Sequence, residues 1–306
     1  MASIKKRPPD PMTDLKPITG QTKIFGIFGY PVAHTLSPLM HNAAFDALGL
    51  PYRYLPFEVR PDRLEGAVKG ILPLGILGVN VTLPHKETIL PFLDEIDEEA
   101  GKVGAVNTIE VVSDRLIGRN TDGRGFLESL RERNVDLSGK RVILLGAGGA
   151  AKGVAVALAQ QPIAEMVIAA RTASRGKALA DRVTAVAPRL KTSIIGVDFG
   201  PGFPADSERP TLLVNTTPLG MKQGDPSPFP PHLLDPRWSV ADLIYRPEET
   251  PLLAAAKEAG ATVIPGLGML LHQGALAFEI WTKQKAPLSK MRQALQEALS
   301  RGPLQH

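Results

Sequence analysis

Hydrophobic and polar positions follow two rhythms along the chain. Residues 23–29 (KIFGIFG) form a short apolar run that stops at Tyr30-Pro31, the pattern of a buried strand. Ser37-Pro38 then opens a helical period, with serine suited to the cap and proline to the first turn. Further along, the spacing predicts a strand over 52–59, a helix over 61–72, a strand over 76–82 and an acidic helix over 86–102. Residues 105–113 and 116–120 read as a hairpin, and 125–133 as a helix.

The second rhythm begins at Ser138-Gly139-Lys140. Residues 141–145, 166–170, 193–198, 212–215, 240–244 and 262–264 are short, nearly continuous apolar runs. Strands that are apolar on both faces belong in a parallel sheet covered by helices on each side. A helix is expected from the glycine-rich turn after residue 145 to about Gln160, and an amphipathic helix over 290–299 closes the chain. The predicted fold class is α/β, in two domains. One is an N-terminal α/β unit over 21–123, completed by 266–306 as the C-terminal helix returns to it. The other is a Rossmann-type, doubly wound parallel sheet over 124–265. Residues 1–20 read as a loose leader.

Composition narrows the chemistry. The 306 residues contain no cysteine, which excludes disulfides, thiolate metal sites and a cysteine nucleophile and fits a cytoplasmic setting. Net charge is +4, with no basic block beyond Lys5-Lys6-Arg7, so no nucleic-acid partner is expected. The longest stretch free of Asp, Glu, Lys and Arg, 259–278, is broken by glycines and Pro265, so no membrane span is expected. His34, His41, His85 and His272 show no paired ligand spacing, and no metal is expected.

Gly146, Gly148 and Ala151 match G-x-G-x-x-G/A between a predicted strand and a predicted helix, the arrangement that seats a pyrophosphate on a helix N-terminus. The next strand ends in Ala170-Arg171-Thr172-Ala173-Ser174-Arg175. Two arginines stand where NAD enzymes place an acid, so a ribose 2′-phosphate, and therefore NADP, is favoured. The first domain collects polar residues at strand ends: Thr35 and Ser37 beside a helix start, Asn80 and Thr82 on one strand face, then Lys86, Asn107 and Asp122. Each alone has an ordinary reading as a cap, a turn residue or a surface charge. Together they outline a cleft for a polyol.

HTLSPLMHN, GVNVTLPHK, GAVNT, GRNTDGRG, LLGAGGAAKG, ARTASRG, NTTPLGM, DLIYRPEETPLL and GLGMLLHQGALAFEIW stand in one order over roughly 22–300. In these motifs the chain resembles the shikimate dehydrogenases of aromatic amino-acid biosynthesis. The resemblance implies NADPH-dependent reduction of 3-dehydroshikimate to shikimate by a monomer or homodimer. It implies that Thr35 and Ser37 hold the substrate carboxylate, with Tyr245 nearby. Asn80, Thr82, Asn107, Asp122 and Gln273 would bond the ring hydroxyls, and Lys86 with Asp122 would form the catalytic pair. Gly146, Ala147, Gly148, Gly149 and Ala150 would take the pyrophosphate, and Arg171, Thr172 and Arg175 the 2′-phosphate. Thr217, Leu243, Gly266 and Met269 would border the rest of the cofactor, with Glu98 touching it from the first domain. Thr35 stands where the family usually has serine, and Ala170 where it usually has asparagine. The threonine methyl keeps a quinate-oxidising relative in view. A non-catalytic NADP-binding module is the alternative from another class, and it would not need Lys86, Asp122 and Gln273 together.

Overall fold

A computed structural model describes residues 17–199 and 209–301. Residues 1–16 of the expected leader lie outside it, and 17–22 run as coil and turn into the first strand. The first unit contains β1 (Lys23–Gly29), α1 (Ser37–Ala47), β2 (Tyr52–Glu58), α2 (Leu64–Lys69), β3 (Ile76–Val81) and α3 (His85–Thr88). It continues with β4 (Glu95–Ile96), α4 (Glu98–Val103), β5 (Thr108–Val112), β6 (Arg115–Arg119) and α5 (Asp122–Glu132). The second contains β7 (Arg141–Leu145), α6 (Gly149–Ala159), β8 (Glu165–Ala169), α7 (Ala173–Val186), β9 (Lys191–Ile195), β10 (Thr211–Asn215), β11 (Ser239–Asp242), α8 (Pro251–Glu258) and β12 (Thr262–Ile264). Two helices, α9 (Leu267–Thr282) and α10 (Leu288–Ser300), end the chain.

The second sheet is fully parallel, in the order β12-β11-β10-β7-β8-β9. Its central strands β7 and β10 are buried at every position, as strands covered on both faces must be. The first sheet, β2-β1-β3-β5-β6-β4, is mixed. Strand β1 runs parallel to β2 and β3, whereas β5 is antiparallel to both β3 and β6. Met291 and Leu295 of α10 and Phe278 of α9 share a core with Met40 and Phe45 of α1, so the chain end packs on the first unit. Among the described residues no helix is long and apolar enough to cross a membrane.

Two sequence expectations are corrected. Residues 86–102 are not one helix but α3, a 3-10 turn over Leu90–Phe92, β4 and α4. Pro91 lacks the N–H that a continuing helix needs. The acidic residues are local partners instead: Asp94 accepts from the Leu116 N–H at 2.7 Å, and Asp97 caps α4 by accepting from the Ala100 N–H at 2.8 Å. Ser37 is not the cap of α1 either. Leu36 occupies that position without a side-chain cap, and the Ser37 hydroxyl bonds the Tyr54 oxygen instead.

Helix α5 joins the two units. A Cβ at Gly123 would lie 2.5 Å from the Gly153 carbonyl oxygen of α6, and one at Gly125 would lie 2.6 Å from the Gln273 nitrogen of α9. Glycine therefore lets three helices cross with their backbones nearly touching, and that crossing fixes where Asp122 stands. Gly123→Ala is expected to lower stability by about 1–3 kcal/mol, because a backbone carbonyl cannot yield as a side chain would. Gly66→Ala, in α2 with nothing near its Cβ position, is expected to be neutral or stabilising. Chemical denaturation of both variants checks this.

Candidate active site

Strand β3 delivers Asn80 near its end, and the chain turns through Thr82 into the single turn of α3 that carries Lys86. The Lys86 carbonyl accepts from the Val106 N–H at 2.8 Å, which ties this turn to the start of the β5–β6 hairpin. Lys86 Nζ then reaches Asp122 Oδ2 at 2.5 Å, with side chains only 12% and 4% exposed. Asp122 is the first residue of α5, where the helix N-terminus favours a carboxylate. Its other oxygen, Oδ1, accepts from Asn107 Nδ2 at 2.8 Å.

Asn107 is the hub of the site. Its Nδ2 also donates to Thr121 Oγ1 at 2.9 Å and, at a longer 3.4 Å, to Gln273 Oε1. Its Oδ1 accepts from the Thr121 N–H at 2.8 Å and from the Thr108 hydroxyl at 2.9 Å. Asn80 lies behind it, buried. Both amide protons of Asn80 already have acceptors, the Asn107 carbonyl at 3.1 Å and Thr108 Oγ1 at 3.0 Å. At the other end of the cleft Thr35 Oγ1 accepts from the Ser37 N–H at 3.3 Å, and Thr35 bonds the Tyr245 phenol, whose pKa burial pushes up. The Thr82 methyl packs on Gly29, and its hydroxyl has no partner among the described residues.

The glycine-rich turn after β7 closes over this group. Gly146 has φ of +105°, and a Cβ there would lie 2.7 Å from Thr216 Oγ1, so only glycine fits. A Cβ at Gly149 would lie 3.3 Å from Lys86 Cβ, so the turn packs directly on the lysine. Ala147, Gly148 and Ala150 share this entry to α6, and Gly148 faces open space. Thr217 donates to Asn215 Oδ1 at 2.7 Å, while Asn215 Nδ2 and the Thr250 hydroxyl hold Asp242 at 3.0 and 2.8 Å. These bonds lock the NTTPLGM and DLIYRPEET segments together. Leu243 and Met269 share a core cluster, and Gly266 stands so close that a Cβ would lie 2.4 Å from the Leu243 carbonyl. Beyond β8, Arg171, Thr172 and Arg175 are exposed, and neither guanidinium has an ion pair among the described residues.

Glu98 stands apart. It is exposed, pairs with Lys102 and lines a groove with Ala157, Gln160 and Gln161. That is the far end of α6, about 15 Å from Gly149 at 1.5 Å per residue. Its placement does not support the expected contact with a cofactor at the glycine-rich turn.

Comparison with known proteins agrees with this architecture. Residues 27–109 match the shikimate dehydrogenase substrate binding domain, 129–193 match shikimate / quinate 5-dehydrogenase, and 266–296 match the shikimate 5'-dehydrogenase C-terminal domain. The shikimate dehydrogenase (NADP(+)) of Methanopyrus kandleri is 45% identical over 285 residues, 92% of this chain and 98% of that protein. The chain belongs to the shikimate dehydrogenase family. A crystal structure of a shikimate dehydrogenase in complex with NADP+ superposes with a TM-score of 0.85 at 40% identity, covering 92% of this chain and 97% of that one. The Thermus thermophilus enzyme in complex with NADP(H) and shikimate gives 0.79 at 39%, covering 90% and 100%.

Sequence reasoning about the family missed a layer beneath the site. Tyr54, Thr108, Thr121 and His41 are all buried there. Tyr54 donates to Asn80 Oδ1 at 2.8 Å, and His41 stacks on Tyr54 with centroids 4.4 Å apart. Thr121, Thr108 and His41 stand inside GRNTDGRG, GAVNT and HTLSPLMHN without a role assigned to them, and Tyr54 reads as an ordinary strand residue. Burial depresses the His41 pKa to about 3, and neither ring nitrogen has a partner. The unfolded chain takes up this proton near pH 6.5 and the folded one only near 3, so stability must fall as pH drops through that interval. The slope approaches about 1.4 kcal/mol per pH unit. His41→Phe, which keeps a ring against Tyr54, is expected to remove this part of the acid sensitivity in denaturation at pH 4.5, 5.5 and 7.5.

Proposed function

We propose that this chain catalyses the reversible, NADP(H)-dependent interconversion of 3-dehydroshikimate and shikimate. The observation that carries the reading is a buried Lys86–Asp122 pair beneath a glycine-rich dinucleotide turn. The residues present fit the cofactor. Gly146 and Gly266 leave no room for a side chain, Gly148 leaves the helix N-terminus open, and two unpaired guanidiniums stand beyond β8 where a 2′-phosphate belongs. Gly146 to Ala150 hold the pyrophosphate, Arg171, Thr172 and Arg175 the 2′-phosphate, and Thr217, Leu243, Gly266 and Met269 border the rest. NADPH, when bound, supplies the hydride.

The chain's own part is to bind, orient and move one proton. Thr35 and Ser37, with Tyr245, hold the substrate carboxylate at the mouth of α1. Thr82, Asn107, Asp122 and Gln273 orient the ring hydroxyls. As the ketone is reduced, its oxygen gains negative charge, and the Lys86 ammonium stabilises it and gives up a proton from Nζ. In the oxidation direction, neutral Lys86 takes the hydroxyl proton. Asp122 holds Nζ in place and accepts from a substrate hydroxyl. Residues 21–123 with 266–306 form the substrate unit and 124–265 the dinucleotide unit. The enzyme works in the cytoplasm as a monomer or homodimer.

Initial rates with shikimate or quinate, each with NADP or NAD, test the reading. The highest rate is expected with shikimate and NADP. Comparable quinate turnover would mean that the Thr35 methyl has shifted the substrate, and no rate in any combination would refute the proposal. Lys86→Met is expected to lower kcat by about 10²–10⁴ with a much smaller change in shikimate affinity. Arg171→Ala with Arg175→Ala is expected to raise KM for NADP at least about tenfold and to leave KM for NAD nearly unchanged, because two charge-assisted phosphate contacts are lost.

A further inference from the structure

An unbroken series of hydrogen bonds runs behind the site. Tyr54 of β2 reaches across β1 and donates to Asn80 Oδ1 at 2.8 Å. Asn80 Nδ2 donates to Thr108 Oγ1 at 3.0 Å, across the β3–β5 register that sets these two residues opposite each other. Thr108 donates to Asn107 Oδ1 at 2.9 Å, and Asn107 Nδ2 donates to Asp122 Oδ1 at 2.8 Å. Ser37 lies at the start, bonded to the Tyr54 oxygen, and Lys86 at the end, on Asp122 Oδ2.

Each bond in the series supports the direction of the next, alongside two backbone groups: the Thr121 N–H on Asn107 Oδ1 and the Asn107 carbonyl on Asn80 Nδ2. An asparagine amide can turn over, exchanging an oxygen for an NH₂. Turned over, Asn107 would set its oxygen against the Asp122 carboxylate, two acceptors 2.8 Å apart. The Thr108 hydroxyl helps prevent this by aiming its proton at Asn107 Oδ1, and Thr108 is free to do so because its lone pair takes the Asn80 N–H. Asn80 is turned to present that N–H by the Tyr54 hydroxyl, which holds its oxygen, together with the Asn107 carbonyl, which takes its other amide proton. Tyr54 and Thr108 are both 0% exposed, so neither can touch a substrate.

We infer that Tyr54 and Thr108 are positioning residues of the reaction, acting through Asn80 and Asn107 to keep the Asp122 carboxylate aimed at Lys86. In this arrangement Asn80 supports Asn107. The inference rests on the function proposed above.

The test is steady-state kinetics on the full chain with shikimate and NADP. Thr108→Val keeps the shape of the side chain and removes its proton and lone pairs. It is expected to lower kcat about tenfold, the upper range for one buried hydrogen bond, with KM for NADP within twofold. Thr108→Ser restores the hydroxyl and is expected to recover kcat to within about threefold of wild type. Tyr54→Phe keeps the stack on His41, carries the same expectation and stands in if the valine variant does not fold. Because both act on one series of bonds, the double variant should lose little more than either single one. A Thr108→Val kcat within twofold of wild type, or losses that multiply in the double variant, would overturn the relay alone. Absence of turnover by the wild-type chain would overturn the proposed function and the relay with it.

Discussion

A carboxylate that is 4% exposed is the constraint around which this molecule is arranged. Moving an ion out of water costs several kcal/mol unless partners replace the lost hydration. Asp122 has such a partner on each oxygen, Lys86 on one and Asn107 on the other, and its own backbone N–H donates to Asn120 Oδ1 at 3.0 Å. Asn120 is a local partner two residues away, but neither partner of the carboxylate oxygens is a chain neighbour of the kind that local folding would supply. Lys86 comes from the turn after β3, and Asn107 from the entry to the hairpin. Asp122 itself is placed by a helix whose position depends on the Gly123–Gly153 and Gly125–Gln273 crossings. The mixed topology of the first sheet follows from the same requirement. An antiparallel β5 beside β3 starts at the end where β3 finishes, so Asn107 arrives next to Asn80 and Lys86.

The second sheet is anchored to this pair. Gly149 abuts the Lys86 side chain, Lys152 of α6 pairs with Glu87 at 2.6 Å, and Arg182 of α7 donates to the Lys102 carbonyl at 2.8 Å. The lysine that meets the carboxylate therefore also meets the dinucleotide turn. One side chain can then serve the substrate from below while the cofactor lies above it. The dehydrogenase reading depends on this shared position more than on either half taken alone, because a glycine-rich turn or a buried ion pair occurs separately in many proteins.

The central strands of the second sheet were legible in the sequence because both faces are buried, which leaves an apolar run with no competing reading, whereas the largely exposed edge strand β9 lies two residues earlier than the expected 193–198. The polar site was legible as a cluster of Asn, Thr, Asp and Lys at strand ends, where solvated turns alone would not require so many. Residues 86–102 misled because a run of acids resembles a solvated helix face, while the structure uses Asp94 and Asp97 as acceptors for particular N–H groups. Ser37 misled because a serine before proline has every mark of a cap. Thr108 stands in GAVNT only as a turn residue beside Asn107, and Tyr54 gives no signal at all. Tyr54 alternates like any strand residue, and its partner Asn80 lies 26 positions away on a strand that is not its neighbour in the sheet. Side-chain bonds across a sheet leave no period in the sequence.

The degree of satisfaction around the site bears on how it selects a ligand. Asn80 and Asn107 already have partners for their amide groups, and those bonds fall between 2.8 and 3.1 Å except two, one of them from the Thr121 hydroxyl to Asn107 Oδ1 at 3.3 Å. The longer of the two is the 3.4 Å bond from Asn107 to Gln273 Oε1. Hydrogen bonds of that length are weak, so this is the bond that a ring hydroxyl displaces at least cost. Thr82 adds a hydroxyl without a partner among the described residues. A ligand with hydroxyls at the matching positions completes a network that is nearly complete without it. A ligand lacking one leaves a buried polar group unpaired, and such gaps discriminate far more strongly than a lost apolar contact. With the proposed substrate, selectivity would come from the rigidity of the surrounding bonds, with the Thr35 methyl modulating it at the margin.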